Sequence, residues 1–323
     1  MISTRLITPL LLATLFATSG ASCPHRHPIA EIRPLAFNGV PSLEEVIQKV
    51  NSQTARIHSL QALDAKLSVP GMPGLRATVA FERPHRFRLR AETALTGPEL
   101  DLGSNDNLFW LWAKRNEPRA VYFCDHSKFD HNNTRHIFPV DPIWLVSAMG
   151  IVYLDPSGRH SGPYTVRPGQ LEIRSLNATP NGDLQQVTIL DDRTGWVLEQ
   201  HLYDAQGQRL ATTMTSQHQY DAVTDSSLPR HIEIQLPTAG LTFTIHVSQF
   251  VVNSLQDDPM HLWTMPQPAG VPLQDLSAVL PVPQSTPQTL FLPTTLPKSA
   301  DYVQQSQLPR PKERVSTRRL RGF

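Results

Sequence analysis

The densest group of side chains able to do acid–base or metal chemistry is Asp125, His126, Asp130, His131 and His136. Carboxylates and imidazoles together can hold zinc or relay protons. Their spacing contains no His-x-x-x-His helix and no comparable ligand pattern, so a metal-dependent hydrolase is the weaker reading. His25 and His27 form an isolated His-x-His pair in a proline-rich stretch, which is thin ground for a metal site. No Gly-x-Ser-x-Gly elbow, P-loop or dinucleotide-binding glycine fingerprint is present. The two cysteines, Cys23 and Cys124, are too few for a disulfide framework or a cysteine-rich zinc site. Cys124 reads as a small buried core residue rather than a nucleophile. The inventory therefore predicts a non-enzymatic protein without a cofactor.

Cys23 has a different context. Residues 1 to 22 hold one basic residue, Arg5, then an apolar run from Leu6 to Ala17 and the small-residue exit Thr18-Ser19-Gly20-Ala21-Ser22. That order predicts a secretory signal peptide. The run is shorter than the roughly 20 apolar residues of a membrane-spanning helix. A cysteine directly after Gly-Ala-Ser resembles the bacterial lipobox, with Gly20 where that motif usually carries Leu. Lipidation at Cys23 is the expectation, and cleavage after Ala21 to give a soluble exported chain is the alternative. Acyl chains contribute about 0.8 kcal/mol per buried CH₂, so two or three of them would hold the chain on a membrane.

The whole chain has 323 residues, 40% of them hydrophobic, with 29 basic residues against 28 acidic ones. Such a composition allows a core of ordinary size and excludes a polytopic membrane protein. Balanced charge argues against nucleic acid as a partner for the chain as a whole. The balance is a cancellation, however. Arg310, Lys312, Arg314, Arg318, Arg319 and Arg321 face only Glu313 in the last fourteen residues, which leaves an acidic body with a basic end. That end suits an anionic lipid or a cell-wall polymer.

The elements that must position these residues are set by periodicity. Pro24, Pro28, Pro34 and Pro41 make residues 23 to 41 an extended tether. Ser42-Leu43-Glu44-Glu45 is a capping box, and Leu43, Val46, Ile47, Val50 and Ile57 come after it at helical spacing, which predicts a helix over 43 to 59. The period then changes to two. Eleven short runs alternate apolar and polar residues, the first at 77 to 82 and the last at 241 to 247, which describes an antiparallel sheet with one wet face and one apolar face. Asp141-Pro142 starts a short apolar helix in mid-sheet, Ile143 to Met149, which must be buried on the apolar face. Asp191-Asp192-Arg193-Thr194-Gly195 reads as a hairpin turn. Residues 254 to 323 hold eleven of the 29 prolines and lose all periodicity. They are expected to form a mostly disordered tail, with 258 to 263 able to dock.

The expected domain therefore spans 42 to 253. It is mainly β (α+β): an incomplete, strongly curled antiparallel barrel of about eleven strands with helices packed on its concave side. Its inward phases carry Val79, Phe81, Phe87, Leu89, Leu100, Leu102, Phe109, Leu111 and Phe243, with Trp144 on the internal helix. Most such residues simply form core. A sheet that does not close can also leave a dry groove among them, suited to an acyl chain.

These features together resemble the LolA/LolB family of lipoprotein carriers and receptors: an exported, lipobox-like start; a capped helix running into short strands (Ser42 to Val69); Phe87-Arg88-Leu89-Arg90; and Thr93-Ala94-Leu95-Thr96-Gly97-Pro98 before Glu99-Leu100-Asp101-Leu102. The resemblance covers roughly residues 42 to 253. It implies an open antiparallel barrel plugged by helices, a cavity for acyl chains of lipoproteins, and residence at the outer membrane facing the periplasm. It also implies that Leu95, in the loop matching a protruding loop of LolB-like proteins, inserts into membrane. Ala94-Leu95-Thr96 stands where that family tends to have Pro-Leu-Gly, and the long basic tail is outside the pattern. The implied function is lipoprotein or lipid trafficking. The alternative is an envelope sensor or assembly protein that uses the same fold to bind a protein or polymer partner.

Overall fold

The computed structural model describes residues 35–129, 138, 140–179 and 182–278. Residues 1 to 22, where a signal peptide is expected, Cys23, His25, His27, Asp130, His131, His136 and the basic end lie outside the described residues.

One sheet of fifteen strands dominates. In chain order they are β1 (Ser59–Ser68), β2 (Leu75–Glu82), β3 (Arg86–Thr93), β4 (Gly97–Ser104), β5 (Leu108–Ala113), β6 (Val121–Asp125), β7 (Arg159–Arg167), β8 (Gln170–Asn177), β9 (Leu184–Asp191), β10 (Val197–Tyr203), β11 (Arg209–Asp221), β12 (Ser226–Leu236), β13 (Leu241–Val247), β14 (Val251–Val252) and β15 (Leu273–Asp275). Their spatial order is β15-β6-β5-β4-β3-β2-β1-β13-β12-β11-β10-β9-β8-β7, with β14 beside β1. Two antiparallel meanders thus meet where β1 pairs with β13, Leu67 opposite Ile245. Only β15 runs parallel to its neighbour, β6. The sheet has two edges, β15 and β7, and does not close.

Three helices are described: α1 (Leu43–Ala55), α2 (Pro142–Ala148) and α3 (Pro259–Leu262). The capping box of α1 is complete, since Ser42 Oγ accepts from the Glu45 amide and Glu45 Oε2 accepts from the Ser42 amide at 2.6 Å. Val46, Ile47 and Val50 pack on Leu171, Ile173 and Leu190 of β8 and β9. Asp141 caps α2 by accepting from the Ile143 amide.

Helix α2 also measures the curl. It touches β4, and its Ser147 bonds to Gln200 of β10. Those strands are seven places apart in the sheet, about 34 Å if the sheet were flat, whereas seven helical residues span about 10 Å. The sheet must therefore roll around α2, which lies on its concave side.

The structure departs from the sequence-based expectations in four places. The strands number fifteen rather than about eleven. Helix α1 stops at Ala55 instead of 59, because other groups take the carbonyls it needs. Arg83 donates to the Thr54 and Ile57 carbonyls, and Asn253 donates to that of Arg56 while accepting from the amides of His58 and Ser59.

The outer face is not wet throughout, and the boundary at 253 does not end the folded part. Residues 255 to 275 cross the outside of β1 to β6, and Leu276 turns in to join the interior cluster. Leu255, Leu262 and Trp263 cover Ala80, Met265 and Val271 cover Trp110, Trp112 and Val121, and β15 extends the sheet. This strap is pinned by Arg88, which is buried. Its Nη1 donates to the carbonyls of His261 and Leu262, and its Nε and Nη2 fork onto Asp101 at 3.0 and 2.7 Å. Prolines break helical and strand periodicity without preventing a segment from lying extended on an apolar surface.

Candidate functional site

Alternation places one face of β1 to β5 and of β12 to β13 inward, and the sheet's roll brings those faces together. Val79, Phe81, Phe87, Leu89, Leu102, Phe109, Leu111, Trp144 and Phe243 are all buried in a single cluster, with Leu100 partly buried against it. The ten residues expected to line a groove are therefore neighbours. They are packed against one another and against α2 and its flanks, and Phe109 meets Phe129 and Phe138 edge-on at 5.3 and 5.0 Å.

The floor changes character beneath the second half of α2. Gln200, fully buried, donates from Nε2 to the Ser147 carbonyl and accepts from Ser147 Oγ, both at 2.9 Å, and from Gln186 Nε2 at 3.0 Å. Thr213 Oγ1 donates to the Ala148 carbonyl. Sequence reasoning missed this polar patch. Gln200 and Leu202 share an alternation phase, so parity marks Gln200 as inward, but a glutamine in a strand reads as solvent-facing. Two buried polar atoms of the interior have no hydrogen-bond partner: Trp144 Nε1 and Thr188 Oγ1.

Leu95 sits at the turn between β3 and β4 with 96% of its surface exposed. The hydroxyl of Thr96 bonds to the Glu99 carboxylate, and Lys114 Nζ donates to the Thr96 carbonyl. The turn is thus held from behind while the leucine stays in water. Burial opposes charge on Glu99, but hydrogen bonds from Thr96 and Lys114 and the charges of Lys114 and Arg115 outweigh it and bring its pKa below the usual carboxylate range.

The described members of the Asp/His cluster have structural duties. Asp125 Oδ1 accepts from the Ser127 amide and hydroxyl, which lowers its pKa and caps the turn after β6. His126 Nε2 lies 2.8 Å from the Asn105 carbonyl. Among the described residues, no three His, Cys, Asp or Glu side chains converge on a metal position. Cys124 is fully buried, and burial pushes its thiol up to about 11. No helix among the described residues is long and apolar enough to cross a membrane.

A separate cleft of about 660 Å³ runs along the outer flank of α1. None of the ten inward residues lines it.

The described residues thus define an open, curled antiparallel sheet with helices against its concave face. No protein-family model and no curated protein matches the chain. Solved structures do. A Vibrio parahaemolyticus domain described as an outer membrane lipoprotein-sorting protein is 10% identical, covering 68% of this chain and 95% of its own, with a TM-score of 0.44. A LolA superfamily protein from Nitrosomonas europaea is 10% identical over 70% and 98% of the two chains, TM-score 0.44. A DUF1329 family protein from Desulfovibrio piger is 11% identical over 66% and 95%, TM-score 0.43.

Proposed function

We propose that this protein is a non-enzymatic carrier or receptor for acyl chains, working in lipoprotein or lipid trafficking in the bacterial envelope. The observation that carries the reading is the interior between the concave sheet and α2. It is a largely apolar surface with two buried polar groups that lack a partner among the described residues, the indole N–H of Trp144 and the hydroxyl of Thr188. A ligand whose tail lies among the inward side chains of that cluster, and whose ester carbonyl accepts from Trp144, would satisfy both the surface and that donor. In this reading the chain is held at the outer membrane by acylated Cys23, faces the periplasm, and uses Leu95 at a bilayer surface. The basic end contacts anionic lipid or cell-wall polymer.

The test is purification of the mature protein without detergent, then mass spectrometry of extracted lipid and titration with a fluorescent fatty acid. Co-purifying acyl lipid, or uptake that Trp144→Ala reduces, is the expected result. An empty protein that also takes up no fatty acid would sink the proposal. The burial of the inward side chains in one cluster favours the second reading in that event: an envelope sensor or assembly protein that uses the same fold to bind a protein or polymer partner.

A further inference from the structure

The cleft along α1 is independent of the interior and of the function proposed for it. Ile47 and Ala55 of α1 form its apolar floor, Tyr153 and Pro156 form the facing wall, and His58 and Arg83 stand at the end nearest the C-terminus of α1. Its volume of about 660 Å³ lies within the range of small-molecule sites, roughly 300–1,000 Å³.

Its walls are tied together. Asn51 donates to the Leu154 carbonyl at 2.7 Å and accepts from the Leu154 amide at 2.8 Å, and Thr54 Oγ1 donates to the Val152 carbonyl at 2.8 Å. The guanidinium of Arg83 is fixed as well, with Nε on the Ile57 carbonyl at 2.7 Å and Nη2 on that of Thr54 at 2.9 Å. Its third nitrogen, Nη1, has no partner among the described residues, and no described carboxylate forms an ion pair with Arg83. Tyr153 is 63% exposed at the rim, a large ring left in water.

We propose that this cleft binds a small amphiphilic monocarboxylate, with its carboxylate on Arg83 Nη1 and its apolar body between Ile47, Ala55 and the Tyr153 ring. The two carbonyls use only two of the five guanidinium N–H groups, so Nη1 keeps both of its own for a carboxylate. The C-terminal end of α1 carries partial negative charge, and Glu44 lines the far end of the cleft. Both oppose a dianion. Eleven residues of α1 separate Glu44 from Ala55, about 16 Å, so the acidic end lies beyond the reach of a medium-length chain anchored at Arg83.

The experiment is an amide NMR titration of the mature protein with octanoate, using octanol as the uncharged control. The expected result is saturable shifts confined to residues 44–58, 83 and 151–156, with octanol weaker by about tenfold, the worth of a charge-assisted hydrogen bond in a partly wet site. Arg83→Gln should weaken octanoate to the octanol level. That change also releases two helix-end carbonyls, so Tyr153→Ser, which leaves α1 anchored, is the second variant and should weaken binding several-fold. Shifts that appear instead on α2 and β4 would place the ligand in the interior and overturn the proposal. Equal binding of octanol, no shift in the named residues at millimolar octanoate, or an unchanged affinity in Tyr153→Ser would overturn it too.

Discussion

Gly103 and Trp110 face each other across β4 and β5, and the indole lies so close that a methyl group built on Gly103 would come within 2.2 Å of the ring carbon Cζ2. The ring is fully buried, its Nε1 donates to Asp101 at 3.0 Å, and the Arg88 guanidinium stands 5.4 Å from its centroid. A backbone without a side chain thus makes room for the aromatic anchor of the outer face. Gly103→Ala should destabilise the protein by about 1–3 kcal/mol through overpacking. A urea-unfolding midpoint within error of wild type would show that the ring has somewhere else to go.

Arg88 is the pin of the strap. Replacing it with Ala leaves Asp101 buried with Trp110 as its chief donor, frees the Leu262 carbonyl and leaves that of His261 to Arg90 Nη2, so a loss of about 3–5 kcal/mol is expected. Limited proteolysis should find new cleavage between 255 and 276 in the variant. Chains ending at 253 and at 278 isolate the contribution of the strap: only the shorter one should bind a hydrophobic dye, because Trp110, Trp112 and Val121 lose their cover.

The polar patch under α2 gives a local test. Gln200→Ala removes the donor to the Ser147 carbonyl and the acceptor of two bonds, at a cost of about 1–3 kcal/mol. The expected signature is faster amide exchange over 142–149, with β2 to β4 unchanged. If acyl chains enter beneath α2, fatty-acid uptake should also quicken. Uniform loss of protection across the sheet would mean that α2 does not move as a unit.

His201 supplies a pH dependence. Burial lowers its pKa below 6.5, against the opposing pull of Glu199. The unfolded chain therefore binds the proton more readily than the folded one. Its contribution to stability is complete above about pH 6.5 and shrinks as the pH falls through that value toward the lower, folded-state pKa. Thermal midpoints of wild type and His201→Gln between pH 5.5 and 8 should converge at the acid end. Parallel curves would show that the imidazole titrates normally.

Cys124 should resist iodoacetamide at pH 8 in the native state and react fully in urea, since it is buried and its thiol sits near 11. Native labelling within minutes would indicate that the interior opens on that timescale.

What the sequence made legible, and what it hid, depended on whether a residue's role was local. The capping box of α1, the Asp141-Pro142 start of α2 and the turn after Asp191 all rest on contacts within three or four residues, and each is present. Strand β1 was implied by the resemblance, which runs the capped helix into strands before Val69, but it is missing from the period-two runs because a register shift between Ala62 and Ala65 breaks its alternation. Strand β7 escaped because, at an edge with almost no buried side chain, it has no alternation to show. The ten inward residues could be named from parity, yet whether they enclose space or fill it depends on α2 and its flanks, which parity does not weigh. Residues 258 to 263 could be marked as able to dock, and Leu262 and Trp263 do; the rest of the strap was hidden because its partners Arg88, Asp101 and Trp110 are distant in sequence, and the two charged ones look like solvent-facing residues until they are seen with each other.

The seven residues of α2 span strands that are seven places apart, and the sheet around them has two free edges. A closed barrel has a circumference fixed by its ladder hydrogen bonds. Among the described residues no ladder bond joins β15 to β7, so no hydrogen-bond ring fixes the radius. If a ligand displaced α2, the sheet would be free to take another curvature, and the strap on its outer face would move with it.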